Sequence, residues 1–139
     1  MGVIHGGNVI AGAAERIRFA RVALTEDTGN AGMLAWQNPE DAAIIVLRLI
    51  LDITTEATGA AIANFGPDGD GTGTSDTLLD GVNIGAAAGV FDNIEDQGTN
   101  GKSTARLDEN GGTTDWITGT GESDPADLVG NAYIYYLVI

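Results

Sequence analysis

The chain has little of what most catalytic sites need. It contains no cysteine and one histidine, His5, among 139 residues. Without cysteine the fold cannot depend on disulfides, and the sequence carries no sign of redox compartment. A nucleophilic serine needs a base such as histidine held against it, and His5 lies in a glycine-rich stretch with no acid or nucleophile near it. These absences argue against a hydrolase of the triad type.

Basic residues are also scarce, and they are unevenly placed. Six Lys and Arg face 20 Asp and Glu, which gives a formal net charge of -14. Residues 1–49 are nearly balanced, whereas residues 50–139 carry almost all of the negative charge. Affinity for nucleic acid comes from cations that replace condensed counterions, so we expect no nucleic-acid partner. The acidity indicates a soluble surface, with an acidic face for a partner or for divalent ions as the alternative.

Long apolar runs are missing as well. No segment approaches the roughly 20 consecutive apolar residues of a membrane helix, because Arg48 and Asp52 interrupt the best candidate, so no membrane role is expected. Residues 1–14 have neither the basic start nor the apolar block of a signal peptide. Apolar residues still make up 43% of the chain, with a mean hydropathy of +0.05, which excludes disorder of the charged, weakly hydrophobic kind. One folded domain is the natural expectation.

The densest apolar stretch is AAIIVLRLILDITT, residues 42–55. Its five β-branched Ile and Val residues favour a strand, and the Thr and Gly that follow disfavour a helix. Period-two alternation predicts two faces. One is wholly apolar and should line the core: Ile45, Leu47, Leu49, Leu51 and Ile53. The other is mixed and should meet a partner or a partly covered surface: Ile44, Val46, Arg48, Ile50 and Asp52.

The remaining pattern predicts an all-β, single-domain β-sandwich of the jelly-roll kind. Residues 1–14 read as a flexible N-terminal arm, and residues 15–139 as the sandwich domain, with seven to nine short strands separated by turn signals. Residues 15–24 and 131–139 alternate well and predict strands. Residues 66–76 and 119–130 predict loops. Asn110-Gly111 predicts a β-hairpin whose return strand is 113–118.

Motifs that would carry chemistry are incomplete. Residues 96–103, DQGTNGKS, resemble a phosphate-binding loop but have Asp96 where that loop needs Gly. Asp68, Asp70 and Thr72 are spaced as in a calcium loop, yet Leu79 stands where the bidentate acid belongs, so a solvated turn is expected and a looser calcium site is the alternative. Adjacent carboxylate pairs lie in predicted turns. We therefore predict no enzyme activity and no catalytic, cofactor or metal-binding residues.

The last strand poses a problem of coverage. Tyr133, Tyr135 and Leu137 share one face, and Ile134, Tyr136 and Val138 share the other, so both faces are apolar or aromatic. Because one sandwich offers one core face per sheet, we expect another copy of the chain to complete the second face. The predicted interface residues are Arg16, Arg18, Trp36, Tyr133 and Tyr135, with the two arginines meeting acidic residues on a neighbouring subunit or a shell.

Three stretches carry a family resemblance: residues 51–61, 75–120 and 127–139. Their most distinctive pieces are Asp80-Gly81-Val82, Phe91-Asp92-Asn93 and residues 98–102, GTNGK. They resemble small β-sandwich proteins encoded in the head-gene region of tailed bacteriophages, among them head decoration, or cement, proteins. The resemblance implies a non-enzymatic, jelly-roll-like, homotrimeric structural protein without cofactors.

By the same resemblance, the protein binds the major capsid protein on the outer capsid surface of the virion. No catalytic residues exist in such a family to carry over. The alternative is another virion β-sandwich, such as a tail, baseplate or host-surface carbohydrate-binding module, for which Trp116 is the one fair candidate ligand contact.

Overall fold

A computed structural model describes residues 16–139, which form nine β-strands. The strands alternate with short turns, as the spacing of the turn signals predicts. Their bounds are β1 Ile17–Ala23, β2 Leu34–Gln37, β3 Ile44–Thr55, β4 Ala61–Asp68, β5 Leu79–Asn83, β6 Gly89–Asp92, β7 Ala105–Leu107, β8 Trp116–Ser123 and β9 Val129–Val138.

The strands build two antiparallel sheets that enclose one core. Sheet A has the order β1-β9-β3-β6, with β7 also paired to β3, and sheet B has the order β2-β8-β4-β5. The chain crosses between the sheets repeatedly, and its first and last strands lie side by side. If β6 and β7 are counted as one interrupted strand, this is the two-sheet, four-plus-four order of a jelly roll. The prediction of an all-β sandwich is confirmed.

Strand β3 departs from the predicted facing because it contains a bulge. The register against β9 slips between Val46 and Arg48, which leaves Leu47 as the extra residue. Beyond the bulge the prediction is right, since Leu49, Leu51 and Ile53 are buried. Before it the prediction is wrong: Ile44 and Val46 are fully buried, whereas Ile45 and Leu47 point outward. One inserted residue thus exchanges the two faces along the first part of the strand.

Strand β9 alternates without interruption. Ala132, Ile134 and Tyr136 are buried in the core, and Tyr133, Tyr135 and Leu137 lie on the opposite face. The strand pairs with β1 on one side and with β3 on the other, so it is central in sheet A. The two faces of this strand are therefore those that period-two alternation predicts.

Strand β8 is longer than predicted, because Gly119 and Gly121 lie inside it rather than in a loop. A side chain at Gly119 would overlap the Phe65 ring, and one at Gly121 would overlap the end of Met33. Phe65 and Met33 are both fully buried. The glycines therefore leave room for large core side chains, and the connection to β9 shortens to residues 124–128.

The predicted hairpin at Asn110-Gly111 is wrong. The turn exists, with Gly111 at a φ of 86°, but β7 pairs with β3 in sheet A and β8 pairs with β2 and β4 in sheet B. The turn therefore carries the chain from one sheet to the other. Asp108 holds it by accepting a hydrogen bond from the backbone N–H of Thr114 at 3.0 Å.

The predicted N-terminal arm, residues 1–14, lies outside the described residues. In the part of the chain from Arg16 onward, no helix is long and apolar enough to cross a membrane.

Candidate interaction surface

The outward side of β1, β9 and β3, which we call the outer face of sheet A, carries the predicted aromatic residues. The pairing register aligns its side chains in rows across the strands. Phe19 lies beside Tyr135, which lies beside Arg48. The row on one side consists of Ile17, Leu137, Ile45 and Arg106. The row on the other side consists of Arg21, Tyr133, Ile50 and Asp92. The face is thus an apolar and aromatic strip bordered by charged residues.

Large apolar side chains on this face are unusually open to solvent. Phe19 is 62% exposed, Ile17 is 55% exposed and Tyr135 is 39% exposed. The rings of Phe19 and Tyr135 stack at a centroid distance of 5.6 Å and an interplanar angle of 24°. Contiguous exposed apolar surface on a folded domain marks an interaction site more often than scattered single residues do.

Three of the six basic residues of the chain lie on this face. They are Arg21, Arg48 and Arg106, which stand in the rows just described. Arg48 pairs with Asp92 at 2.5 Å, and Arg106 pairs with Asp108 at 2.7 Å. The strands of sheet B contain no Lys or Arg. The outer face of sheet A is therefore close to neutral in a strongly acidic chain.

Asp92 anchors the segment that follows β6. Burial raises its pKa, but the hydrogen bonds from Arg48 and from the backbone N–H groups of Glu95 and Ile94 prevail, so that the pKa is lower than the usual 3.8. The carboxylate accepts from Ile94 at 2.8 Å and from Glu95 at 3.0 Å. The Asp92 carboxylate therefore loses its charge, and its ion pair with Arg48, only at a lower pH than an ordinary aspartate would.

Asn93, next in the chain, is fully buried and occupies the interval between β7 and β6 along the edge of β3. Its side-chain oxygen accepts the Leu49 N–H at 2.8 Å, and its side-chain amide donates to the backbone oxygens of Lys102 and Ser103 at 3.1 and 2.9 Å. A buried backbone group without a partner is costly, and Asn93 satisfies that of the buried Leu49. The same side chain ties the loop at residues 102–103 to strand β3.

A second polar cluster closes one end of the sandwich. Glu40 accepts a hydrogen bond from the Tyr136 hydroxyl at 2.9 Å and forms an ion pair with Arg18 at 2.6 Å. The ring of Tyr136 contacts that of Trp36 at a centroid distance of 5.6 Å, which joins the two sheets. Burial, and then the hydrogen bond to Glu40, raises the pKa of Tyr136 to about 12.

The fully buried Asn38 fixes the turn that presents Glu40. Its amide donates to the backbone oxygens of Asp108 at 2.7 Å and Ala42 at 3.0 Å, and its oxygen accepts the Glu40 N–H at 3.0 Å. The neighbouring turn docks on it, because the Asn110 amide donates to the Asn38 backbone oxygen at 2.8 Å. This end of the molecule is a hydrogen-bonded network rather than an open cleft.

The distinctive turns of the family resemblance also contact one another. Asp80 accepts the backbone N–H groups of Asn100 at 3.0 Å and Thr99 at 3.2 Å. Gly98, with a φ of 66°, packs directly against Asp80. Residues 98–102 therefore serve as a docking turn for β5, and their backbone amides are used internally rather than facing a phosphate.

Sheet B has part of its outer face covered by a loop of the same chain. The loop 69–77, rich in Gly, Asp, Ser and Thr, folds back so that Ser75 and Thr77 lie over Gly66, and Trp116 lies against Gly71. Under it, Thr118 is fully buried, and its hydroxyl has no partner among the described residues. Asp68, the last residue of β4, and Asp70, in the loop, accept hydrogen bonds from backbone N–H groups of the loop.

A shallow polar pocket of about 230 Å³ lies beside this loop. It is lined by Asn64, Thr74, Ser75, Asp76, Thr120 and Glu122. Its lining includes no aromatic ring, and Glu122 accepts a hydrogen bond from Asn64 at 2.8 Å. Within residues 16–139, no three acidic or histidine side chains are grouped as a metal site requires.

Four of the five predicted interface residues fall into two places. Tyr133 and Tyr135 lie on the outer face of sheet A, whereas Arg18 and Trp36 belong to the Glu40 cluster at the end of the sandwich; Arg16 precedes β1 and is exposed. Sequence reasoning missed Phe19, Ile17 and Asn93. The alternation of residues 15–24 placed Phe19 and Ile17 on one face together, which was the available signal.

Comparison with known proteins gives a fold and no family. No protein-family model matches the chain. No curated protein matches it either. Among solved structures, the fold matches that of a chain in the acidic stable capsid structure of Helicobacter pylori bacteriophage KHP30, with a TM-score of 0.58 and 11% sequence identity over 88% of both chains. The fold is therefore one that also occurs in a phage capsid.

Proposed function

We propose that this chain is a structural protein of a tailed-phage virion that decorates the outer surface of the head and stabilises it by binding the major capsid protein. The observation that carries the proposal is the fold match to a chain of a phage capsid structure over 88% of both chains. The three stretches that resemble head decoration proteins point the same way, independently of that match.

The arrangement of the side chains favours binding over catalysis. The side chains of the buried Asn38 and Asn93 form hydrogen bonds with backbone groups. The Asp68 and Asp80 carboxylates also accept from backbone N–H groups. The exposed apolar strip on sheet A is instead suited to a protein partner. We propose a non-enzymatic role without a cofactor, in a homo-oligomer for which the family resemblance implies a trimer.

The test is reconstitution on phage heads. Heads assembled from a phage that lacks this gene are mixed with the purified chain, and binding is measured by co-sedimentation and cryo-electron microscopy. We expect saturable binding at symmetry-related positions on the outer surface, and a higher temperature of head disruption. Density for the chain at the tail, or no saturable binding to heads, would contradict the proposal.

A further inference from the structure

We propose that the outer face of sheet A is the surface through which copies of this chain contact one another, with Phe19 and Tyr135 at the centre of the contact. The proposal rests on the homo-oligomer proposed above. It specifies which surface of the chain forms the contact between copies and which side chains that surface presents.

The first argument is the contrast in coverage between the two sheets. Sheet B buries its outward-pointing Thr118, the pairing partner of Gly66, under Ser75 and Thr77 of loop 69–77. Within residues 16–139, no loop lies over Phe19, Ile17 and Tyr135, which remain open to solvent. Removing such side chains from water yields about 25 cal/mol per Å² of apolar area, so a covering surface is favourable.

The second argument is charge, and it selects another copy as the occupant. Two molecules with a formal charge of -14 repel each other across most of their surfaces. On the outer face of sheet A, however, Arg48 and Arg106 are each paired with an aspartate, and the charge of Arg21 is balanced by that of Asp52 on the outward side of β3. Two copies that meet through this face therefore bring together neutral, apolar surfaces. Arginine beside aromatic rings also offers cation–π contacts across the interface.

The size of the strip sets the expected strength. Three strands about 4.8 Å apart and seven residues long cover on the order of 300 Å². A stable pairwise interface buries about 800 Å² on each partner, so the strip alone should hold copies weakly in free solution. Copies that are bound side by side on a shell have a high effective concentration, which strengthens the same contact.

Disulfide cross-linking tests the proposal. The chain has no native cysteine, so each single-cysteine variant carries one thiol and any disulfide joins two copies at the chosen position. Tyr135→Cys places the thiol at the centre of the proposed contact. Asn83→Cys, on an exposed position of β5 in sheet B, is the control. Under mild oxidation of the full chain, we expect disulfide-linked pairs to form at least about tenfold faster for Tyr135→Cys, because the contact raises the effective concentration of the thiols.

A matched pair of surface substitutions completes the design. Phe19→Glu should slow the cross-linking of Tyr135→Cys, because it places a charge in the apolar strip. Ile62→Glu, at a 41% exposed position on the outward side of sheet B, should leave it unchanged. Circular dichroism and thermal melts check that both variants fold. Ultracentrifugation at high concentration then measures association without a cross-link.

The outcomes separate this inference from the proposed function. Equal cross-linking of the two cysteine variants, or no effect of Phe19→Glu, would overturn the inference. It would also be overturned if Phe19→Glu abolished head binding and left cross-linking intact, since the face would then belong to the shell. Selective cross-linking in a protein that fails to bind heads would instead support the contact and contradict the decoration role.

Discussion

The two sheets of this sandwich differ in how far their outer faces are covered. Each has one face in the shared core and one face turned away from it. Sheet B covers part of its outer face with a loop of Gly, Asp, Ser and Thr that lies over Gly66 and Trp116. Sheet A leaves Phe19 and Tyr135 exposed and collects arginines around them. A loop that looks like a metal-binding or solvated turn in the sequence is thus a cover, and an ordinary pair of strands is the candidate interaction surface.

The largest effects should come from the core that the two sheets share. Leu49 on β3 and Phe65 on β4 are both fully buried. Truncation of either to alanine should lower the free energy of unfolding by about 2 to 5 kcal/mol, measured by urea denaturation. Asp70→Ala, in the covering loop, should change it by less than about 0.5 kcal/mol. A larger loss for Asp70→Ala than for Leu49→Ala would mean that the loop, rather than the core, dominates stability.

Asn93→Ala tests what anchors the loop at residues 102–103 to strand β3 of sheet A. The substitution leaves the Leu49 N–H and two backbone oxygens without their partner, at about 1 to 3 kcal/mol for a buried unsatisfied group. Hydrogen exchange should also speed up in residues 93–104 before the rest of the sheet opens. Asn30→Ala, at an exposed turn position, is the control and should be nearly neutral. Equal destabilisation by the two variants would refute the anchoring role.

The sequence predicted where strands occur better than it predicted which strands pair and which side chains face the core. Alternation in residues 131–139 is unbroken, so both faces of β9 could be predicted correctly. In β3, apolar residues occupy both faces around Leu47, and the pattern therefore carries no mark of the bulge. The Asn110-Gly111 turn is a local signal, but local chemistry does not determine which sheet receives the next strand. Asn93 acts through partners on β3 and in the loop at residues 102–103, and such long-range partners leave no periodic trace.

Gly119→Ala tests the glycines of sheet B. A methyl group there would overlap the buried Phe65 ring, and overpacking of this kind costs about 1 to 3 kcal/mol. Gly121→Ala should cost less, because its neighbour is the flexible end of Met33. Thermal melts of the two variants make the comparison. If both were equally tolerated, β8 would not be confined by the core in the way described.

The smallest effect concerns the Tyr136 hydroxyl, where the sheets meet through Trp36. Because its pKa is raised from 10.0 to about 12 in the folded protein, the neutral hydroxyl stabilises the fold below pH 10, and this contribution is lost as pH rises through 12. Urea unfolding of wild type and Tyr136→Phe at pH 9 and pH 11.5 isolates it. We expect the wild type's advantage to shrink by about 1 to 2 kcal/mol. An unchanged difference would contradict the shifted pKa.

The pairing of the first strand with the last has a consequence for biogenesis. Ile17 lies opposite Leu137, so β1 cannot find its place until synthesis has reached β9. Pairings of such long sequence separation fold slowly. At about 5 to 20 residues per second, a ribosome needs several seconds or more to reach β9. Tyr133, Tyr135 and Leu137 also arrive with that strand, so the aromatic strip does not exist on a nascent chain. Copies emerging from one messenger therefore cannot associate through it before each has folded.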